Sequence, residues 1–460
     1  MSERVHLVGI GGAGISAIAR VLLERGVTVT GSDRERSEYA AALEEEGVDV
    51  WYGHAREHVH GADVVVASSA IPEDNVELRE ALDQGIPAYR RPAYLPMLLQ
   101  GQRTIAVAGT HGKTTTTGML AWILSEAGKA PGFIVGGMLP NFGTNAHAGT
   151  GQDFVIEADE YKQTFLSLTP SIGVVTNVEH DHPDCYPTYE DCVAAFQAFV
   201  DRVQDVLVVS ADDAGAAGLS PAQARRVTYG ISHAAQWTLM ESKAGKHGGM
   251  HATLIHEGED CGTMQISLDG SHNLLNALAA AAGAYEAGIP IADSLSALAS
   301  YQGAARRFQI LGQAQHVTVV DDYAHHPTEI KATLAAARAR YPDAGIWAVF
   351  QPHTYSRTRT LLTDLRTAFA DADHVLVTDI FAAREVPDGV TTGAAVAAAL
   401  DHVDSSHAAG LSEALDILKR RVAPGDVVIT LSAGDANQIG MEFLAWLHDQ
   451  KGDRSHDESL

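Results

Sequence analysis

The run Ala106-Val-Ala-Gly-Thr-His-Gly-Lys-Thr-Thr-Thr-Thr117 carries the clearest chemistry in the chain. An apolar stretch, 104–108, leads into a turn containing Gly109 and Gly112, and a helix-like stretch, 118–125, follows. Strand, tight turn and helix N-terminus together offer backbone N–H groups to a phosphate, with Lys113 as a point charge and the Thr114 hydroxyl suited to Mg²⁺. Gly109, Thr110, Gly112, Lys113, Thr114 and Thr115 are therefore candidate triphosphate contacts. The common phosphate-loop pattern has a further glycine five positions before Gly112, where this chain has Val107. The loop is a shorter variant of that pattern.

Other strand-like runs also end in polar groups. Residues 153–157 end in Glu157, Asp159 and Glu160, and residues 171–176 end in Asn177-Val-Glu-His-Asp-His182. Such carboxylates and histidines would set Mg²⁺ ligands at a sheet's carboxyl edge beside the phosphate loop. Singly, each could be a solvated strand end. His180 and His182 resemble a zinc pair, but no cysteine or second histidine stands at finger-like spacing. Asn273 and Asn276 share the first turn of an alanine-rich helix, where they could hold an adenine or merely cap it. Arg306 and Arg307 follow, as a phosphate clamp or a solvated pair.

Near the start, a strand at 5–8 meets Gly9-Ile-Gly-Gly-Ala-Gly14, and a second strand ends at Asp33. That spacing fits a dinucleotide's pyrophosphate and ribose, but equally tight helix–sheet packing. Ser69 follows a third buried strand, where open α/β sheets place ligand contacts.

The scaffold these residues need is α/β. With 460 residues, the chain should divide into roughly two to four domains. Strand-then-helix repeats predict a nucleotide-binding Rossmann-like sheet over 1–98 and a central P-loop-type ATPase sheet over 99–310, with antiparallel strands inserted near 236–270. A third Rossmann-like α/β domain is expected over 311–450, and a disordered tail over 451–460. The 58 acidic residues against 32 basic give a formal charge of −26, which argues against a general nucleic-acid or anionic-membrane binder. Three cysteines without a pairing pattern suit a reducing compartment, and no membrane-length apolar run or signal peptide is present, so the cytoplasm is expected. Oligomeric state cannot be read from these features.

Together, several segments resemble the Mur ligase family of peptidoglycan synthesis, over essentially the whole chain to about residue 445. They are Gly9-Ile-Gly-Gly-Ala-Gly14, Gly109-Thr-His-Gly-Lys-Thr-Thr115, Glu157-Ala-Asp-Glu160, Asn177-Val-Glu-His-Asp-His182, His272-Asn-Leu-Leu-Asn276, Arg306-Arg-Phe308, Asp322-Tyr-Ala-His-His-Pro327 and His353-Thr-Tyr-Ser-Arg357. The resemblance implies an ATP-dependent amide-bond ligase using Mg²⁺, with two ions. Its small-molecule substrates would be UDP-N-acetylmuramate and an amino acid, L-alanine before a ready-made peptide.

By the same resemblance, Gly11, Gly14, Asp33 and Ser69 would hold the uridine nucleotide. Lys113 would contact the phosphates; Thr114 and Glu157, with Glu160 as second choice, would bind one Mg²⁺, and His182 the other. Asn273 and Asn276 match adenine contacts, Arg307 a phosphate contact, and Asp322 a ribose contact. His325 and Arg357 match positions near the amino acid and the muramoyl carboxylate, and His325 could accept the amine's proton. Many family members carry arginine where this chain has Thr354, so the carboxylate contact would rest on Arg357 or elsewhere. A nucleotide-binding switch or a nicotinamide-dependent oxidoreductase would leave the strand-end acids, His182 and the third-domain residues without a task.

Overall fold

The structure is a computed structural model that describes residues 3–457, except 233, 247 and 384, and only the backbone of 451–457. Its strands form three sheets. The first is wholly parallel and runs Asp49–Tyr52, Thr28–Asp33, Arg4–Val8, Val64–Ala67, Ala88–Arg90 from edge to edge. Arg4–Val8 and Val64–Ala67 are buried almost throughout, as a parallel strand covered on both faces must be. The strand order reverses between these two, so the carboxyl-end crevice there is flanked by Gly9–Gly14 and Ser68–Ser69. The edge strands Asp49–Tyr52 and Ala88–Arg90 have three or four residues and no buried run, which is why apolar patterning did not reveal them.

The second sheet has ten strands. At its centre lie Ile172–Val175, Arg103–Ala108 and Asp153–Glu157, mutually parallel, so their polar ends emerge on one edge. The expected antiparallel insert is present: Trp237–Ala244, Met250–His256 and Glu259–Ile266 form a meander beyond Arg225–Gly230. A second antiparallel pair, Gly132–Leu139 with Thr144–His147, closes the other edge.

The third sheet runs Gln309–Ala314, Val317–Asp322, Val427–Leu431, Ile346–Phe350, His374–Val377, Ser405–His407 and is parallel except at its first strand. The last helix, Asn437–Asp457, runs on through most of the segment expected to be a disordered tail; residues 458–460 lie outside the described residues. Among the described residues no helix is long and apolar enough to cross a membrane.

Candidate active site

The phosphate loop sits between the strand Arg103–Ala108 and the helix Lys113–Glu126. Four consecutive threonines, 114–117, start this helix although β-branched residues lose rotamer freedom in helices. Burial compensates, since all four lie against neighbouring elements, and the Thr117 hydroxyl bonds back to the Lys113 carbonyl at 2.7 Å. The helix N-cap is Gly112 at φ +79, and Gly109 has φ +142. A Cβ on Gly109 would run into the Thr176 hydroxyl, and one on Gly112 into the Asn276 amide oxygen. Glycine is therefore required at both positions by conformation and by space. The first helical bond joins Thr116 N to Gly112 O, so the N–H groups before it are those a helix N-terminus offers an anion.

The neighbouring strand end holds the loop in shape. Thr176 Oγ1 and Asn177 Nδ2 donate to the His111 carbonyl at 2.6 and 3.1 Å, and His111 N donates to Asn177 Oδ1 at 2.8 Å. Thr110 N donates to the Asn177 carbonyl at 3.0 Å.

Both candidate glutamates flank the loop, with different partners. Glu157 accepts from Thr114 Oγ1 at 3.1 Å and from Gly136 N at 2.7 Å. Glu160 is buried, pairs with Lys113 Nζ at 2.8 Å and lies 3.5 Å from His182 Nε2. Burial would push Lys113 down, but Glu160, Asp159 and Glu157 outweigh it and hold the amine above its ordinary value. Burial likewise opposes charge on Glu160, yet Lys113 and His182 keep it below the usual carboxylate range. His182 is raised against its own burial by Asp181 and Glu160. Thr114 with Glu157 is an all-oxygen pair, and Glu160 with His182 a carboxylate and an imidazole, both within reach of the loop. Glu160 Oε2 makes no well-directed hydrogen bond despite its ion pair, which leaves it acceptor capacity.

Between the second and third sheets lies a cavity of about 250 Å³. Asn273, Asn276, Arg307 and Asp322 line it together, with Gly112 and Thr115. Asn276 Nδ2 donates to Asn273 Oδ1 at 3.2 Å and Asn273 Nδ2 to the Asp269 carbonyl at 2.7 Å, so the two amides are oriented by one another. Asp322 accepts from Phe308 N and Ala324 N, each at 2.7 Å. Burial nevertheless lifts its carboxyl to about 6, against Arg307 and those two donors.

Other candidates are placed less simply. Arg357 is buried and forked onto Asp181, Nε to Oδ1 at 2.8 Å and Nη2 to Oδ2 at 3.1 Å, and it also reaches His182 Nδ1 at 3.2 Å. Asp181 thus takes the fork of the guanidinium that the resemblance places near the muramoyl carboxylate. His325 Nδ1 bonds the Tyr323 carbonyl at 2.9 Å, and burial together with Arg357 lowers the imidazole to about 4. It is neutral near pH 7 but a weak proton acceptor. Thr354 is buried at φ +59, ψ 149, a strained backbone that this β-branched residue already carries. In the first sheet, Gly11 N donates to Asp33 Oδ2 at 2.8 Å, which turns the acid onto the glycine loop. Ser69 is half-buried and its carbonyl accepts from Lys162 Nζ at 2.9 Å. Gly14 lies against the Arg91 guanidinium. His180 Nε2 bonds the Tyr186 carbonyl at 2.9 Å.

Several cavity residues went unnoticed in the sequence. They include His111, Asp212, Asp213, Tyr229 and Glu329. Position inside the phosphate loop was the available signal for His111, and a place in the first turn after Pro327 that for Glu329.

This is a three-domain α/β protein whose middle sheet carries the glycine turn 109–112 at a helix start facing the third domain. Three profiles of the Mur ligase family match it in succession: the family's catalytic domain over 4–103, its middle domain over 107–284, and the glutamate ligase domain over 306–434. A UDP-N-acetylmuramate--L-alanine ligase from Geobacter sp. (strain M21) is 43% identical over 450 residues, covering 96% of this chain and 97% of that protein. One of the same description from Mycobacterium marinum is 43% identical, covering 98% and 96%. The crystal structure of a UDP-N-acetylmuramate-alanine ligase from Thermotoga maritima superposes with a TM-score of 0.83 at 29% identity, covering 97% of this chain and 99% of that one. A murein peptide ligase from Psychrobacter arcticus gives 0.72 at 26% identity, with the same coverage. The chain belongs to the Mur ligase family.

Proposed function

We propose that the protein is an ATP-dependent ligase that joins L-alanine to the carboxylate of UDP-N-acetylmuramate, releasing ADP and phosphate, in cytoplasmic synthesis of peptidoglycan precursors. The observation that carries the ATP half is the meeting of Lys113, Thr114, Glu157, Glu160 and His182 at one sheet edge, beside a cavity with paired amides. The substrate pair is carried over from relatives that share the full length of the chain.

In this reading the first sheet is Rossmann-like and holds the uridine nucleotide through Gly11, Gly14, Asp33 and Ser69, and the central sheet is of P-loop ATPase type. A carboxylate oxygen attacks the γ-phosphorus of ATP, the bond to the bridging oxygen breaks, and ADP leaves an acyl phosphate. The amine nitrogen then attacks the acyl carbon, the carbon–oxygen bond to phosphate breaks, and the nitrogen loses a proton. The loop N–H groups and Lys113 neutralise charge on the transferring phosphoryl group. Thr114 with Glu157, and Glu160 with His182, would hold two Mg²⁺ ions, which supply further charge neutralisation between the two anionic reactants. Asn273 and Asn276 face the adenine, Asp322 the ribose and Arg307 the phosphates. Seating of the third domain excludes water from the acyl phosphate. A base with a pKa of about 4 gains little at neutral pH, so His325 is read as orienting the amine rather than deprotonating it.

A peptide-accepting ligase is the second reading, favoured by the likeness to the murein peptide ligase; the higher TM-score to the alanine ligase puts it second. Phosphate release with UDP-N-acetylmuramate, ATP, Mg²⁺ and either L-alanine, glycine, a D-amino acid or the tripeptide tests the choice. Release that is fastest with L-alanine supports the proposal; release with the tripeptide alone would replace it.

A further inference from the structure

His111, in the phosphate loop, lies between two carboxylates, hydrogen-bonded to one through Nδ1 and within ion-pair distance of the other through Nε2. Its Nδ1 lies 3.1 Å from Glu329 Oε1, and its Nε2 lies 3.4 Å from Glu179 Oε2. Glu179 follows the strand Ile172–Val175 of the central sheet, whereas Glu329 stands in the first turn of the helix Pro327–Arg340, on the third sheet's side of the cavity. Glu329 also accepts from the backbone N–H groups of His325 and His326, at 3.2 and 3.4 Å, so it is fixed to the start of that helix. Thr328 Oγ1 donates to Glu179 Oε2 at 2.7 Å and adds a second link across the same boundary.

From this geometry we propose that His111 is a positioning residue that couples the phosphate loop to the third domain, its two ring nitrogens joining Glu179 to Glu329. Because Thr176 and Asn177 clamp the His111 backbone, a change in the loop moves the imidazole, and with it the helix start. The coupling itself stands on the ligand-free geometry; its use in catalysis rests on the reading that the loop binds ATP.

The electrostatics agree. Burial alone would make His111 neutral, but Glu329 and Glu179 outweigh it and raise the imidazole to about 9. Glu179 is held at about 2 against its burial by His111, Thr328 and His326. The other charged or titratable groups facing the pair are the His326 ring, with its centroid 4.6 Å from that of His111, and Arg307 and His325, which approach Glu329 at 3.7 and 3.6 Å. His111, Glu179 and His326 also bring ligand atoms within 4.8 Å of one another, as a bound cation would need. The Thr328 N–H donates to His326 Nδ1 at 3.3 Å, which makes that nitrogen an acceptor.

Hydrogen exchange on the ligand-free full chain tests the coupling without any assumption about substrate. His111→Gln should deprotect the first turn of the helix 327–340, and Glu329→Gln, which can still cap that helix, should deprotect the loop 109–112. The double variant should add less than the two singles combined. In turnover, His111→Gln should lower kcat about tenfold while Kd for ATP with Mg²⁺ shifts less than about threefold. Exchange changes confined to each variant's own element, or strictly additive losses, would overturn the coupling. A loss confined to ATP affinity would reduce His111 to a loop residue. Failure of the unaltered protein to bind ATP would instead overturn the proposed function and leave the exchange result to judge the coupling.

Discussion

The phosphate loop has two unlike walls. On one, Lys113, Glu157, Glu160 and His182 all come from the central sheet or the segments that follow its strands, and their pairings span 2.8 to 3.5 Å. On the other, His111, Arg307, Asp322 and Glu329 meet across a boundary between sheets, around a cavity. The first wall is built by the central sheet's strand order, with the third domain touching it through Arg357 at His182 and Asp181. The second exists only while the third domain is seated. Substitutions in the first should therefore remove chemistry, and those in the second should change binding or its coupling to chemistry.

The largest effect is expected from Lys113→Ala, which removes the loop's lysine ammonium, paired with Glu160. Ligation should fall by about 10³-fold or more, with UDP-N-acetylmuramate binding by calorimetry unchanged; retained turnover would break the contrast on its strong side. Arg357→Ala should unfold the protein more readily, because it strands Asp181, buried and held well below its usual pKa by Arg357 despite that burial. A loss of about 3–5 kcal/mol in denaturant titrations is expected. An intact midpoint with a raised KM for the UDP-sugar would instead make Arg357 a substrate contact. Glu157→Gln and Glu160→Gln should each lower turnover about 10²-fold and raise the Mg²⁺ concentration at half-activity. Equal Mg²⁺ curves for both variants and the unaltered protein would remove the two donor sets. On the second wall, Asp322→Asn should raise KM for ATP several-fold and leave kcat nearly unchanged.

The smallest effect is on pH. His111 is raised from 6.5 to about 9, so its contribution to the folded, seated form is full below 6.5 and disappears as pH rises through 9. Glu179 is lowered to about 2, so its share is present above 4.5 and lost as pH falls through 2. Exchange protection of the helix 327–340 should accordingly weaken between pH 7 and 10 in the unaltered protein, and less so in His111→Gln. Identical profiles would contradict the charged tie.

The two walls also differ in how far the sequence disclosed them. Strand, glycine turn and Gly-Lys-Thr are local, so the loop could be read directly, as could the acids ending 153–157. The association of Asn273, Asn276, Arg307 and Asp322 came from a resemblance and is matched by their meeting in one cavity. Partner choice was not legible. That Glu160 rather than Glu157 pairs with Lys113 depends on how the chain turns after the strand ends at Glu157. That Asp181 claims Arg357 depends on a contact 176 residues away along the chain. Short edge strands such as Ser405–His407 lacked a periodic signal for the same reason: their pairing is supplied by the neighbour, not by their own pattern.

The central claim is that a substrate carboxylate is activated on this loop by phosphoryl transfer. UDP-N-acetylmuramate carrying ¹⁸O in its lactyl carboxylate, incubated with the protein, ATP, Mg²⁺ and L-alanine, tests it directly. One ¹⁸O should appear in the released phosphate for each amide formed. Amide formation with unlabelled phosphate, or phosphate release without amide, would contradict the account.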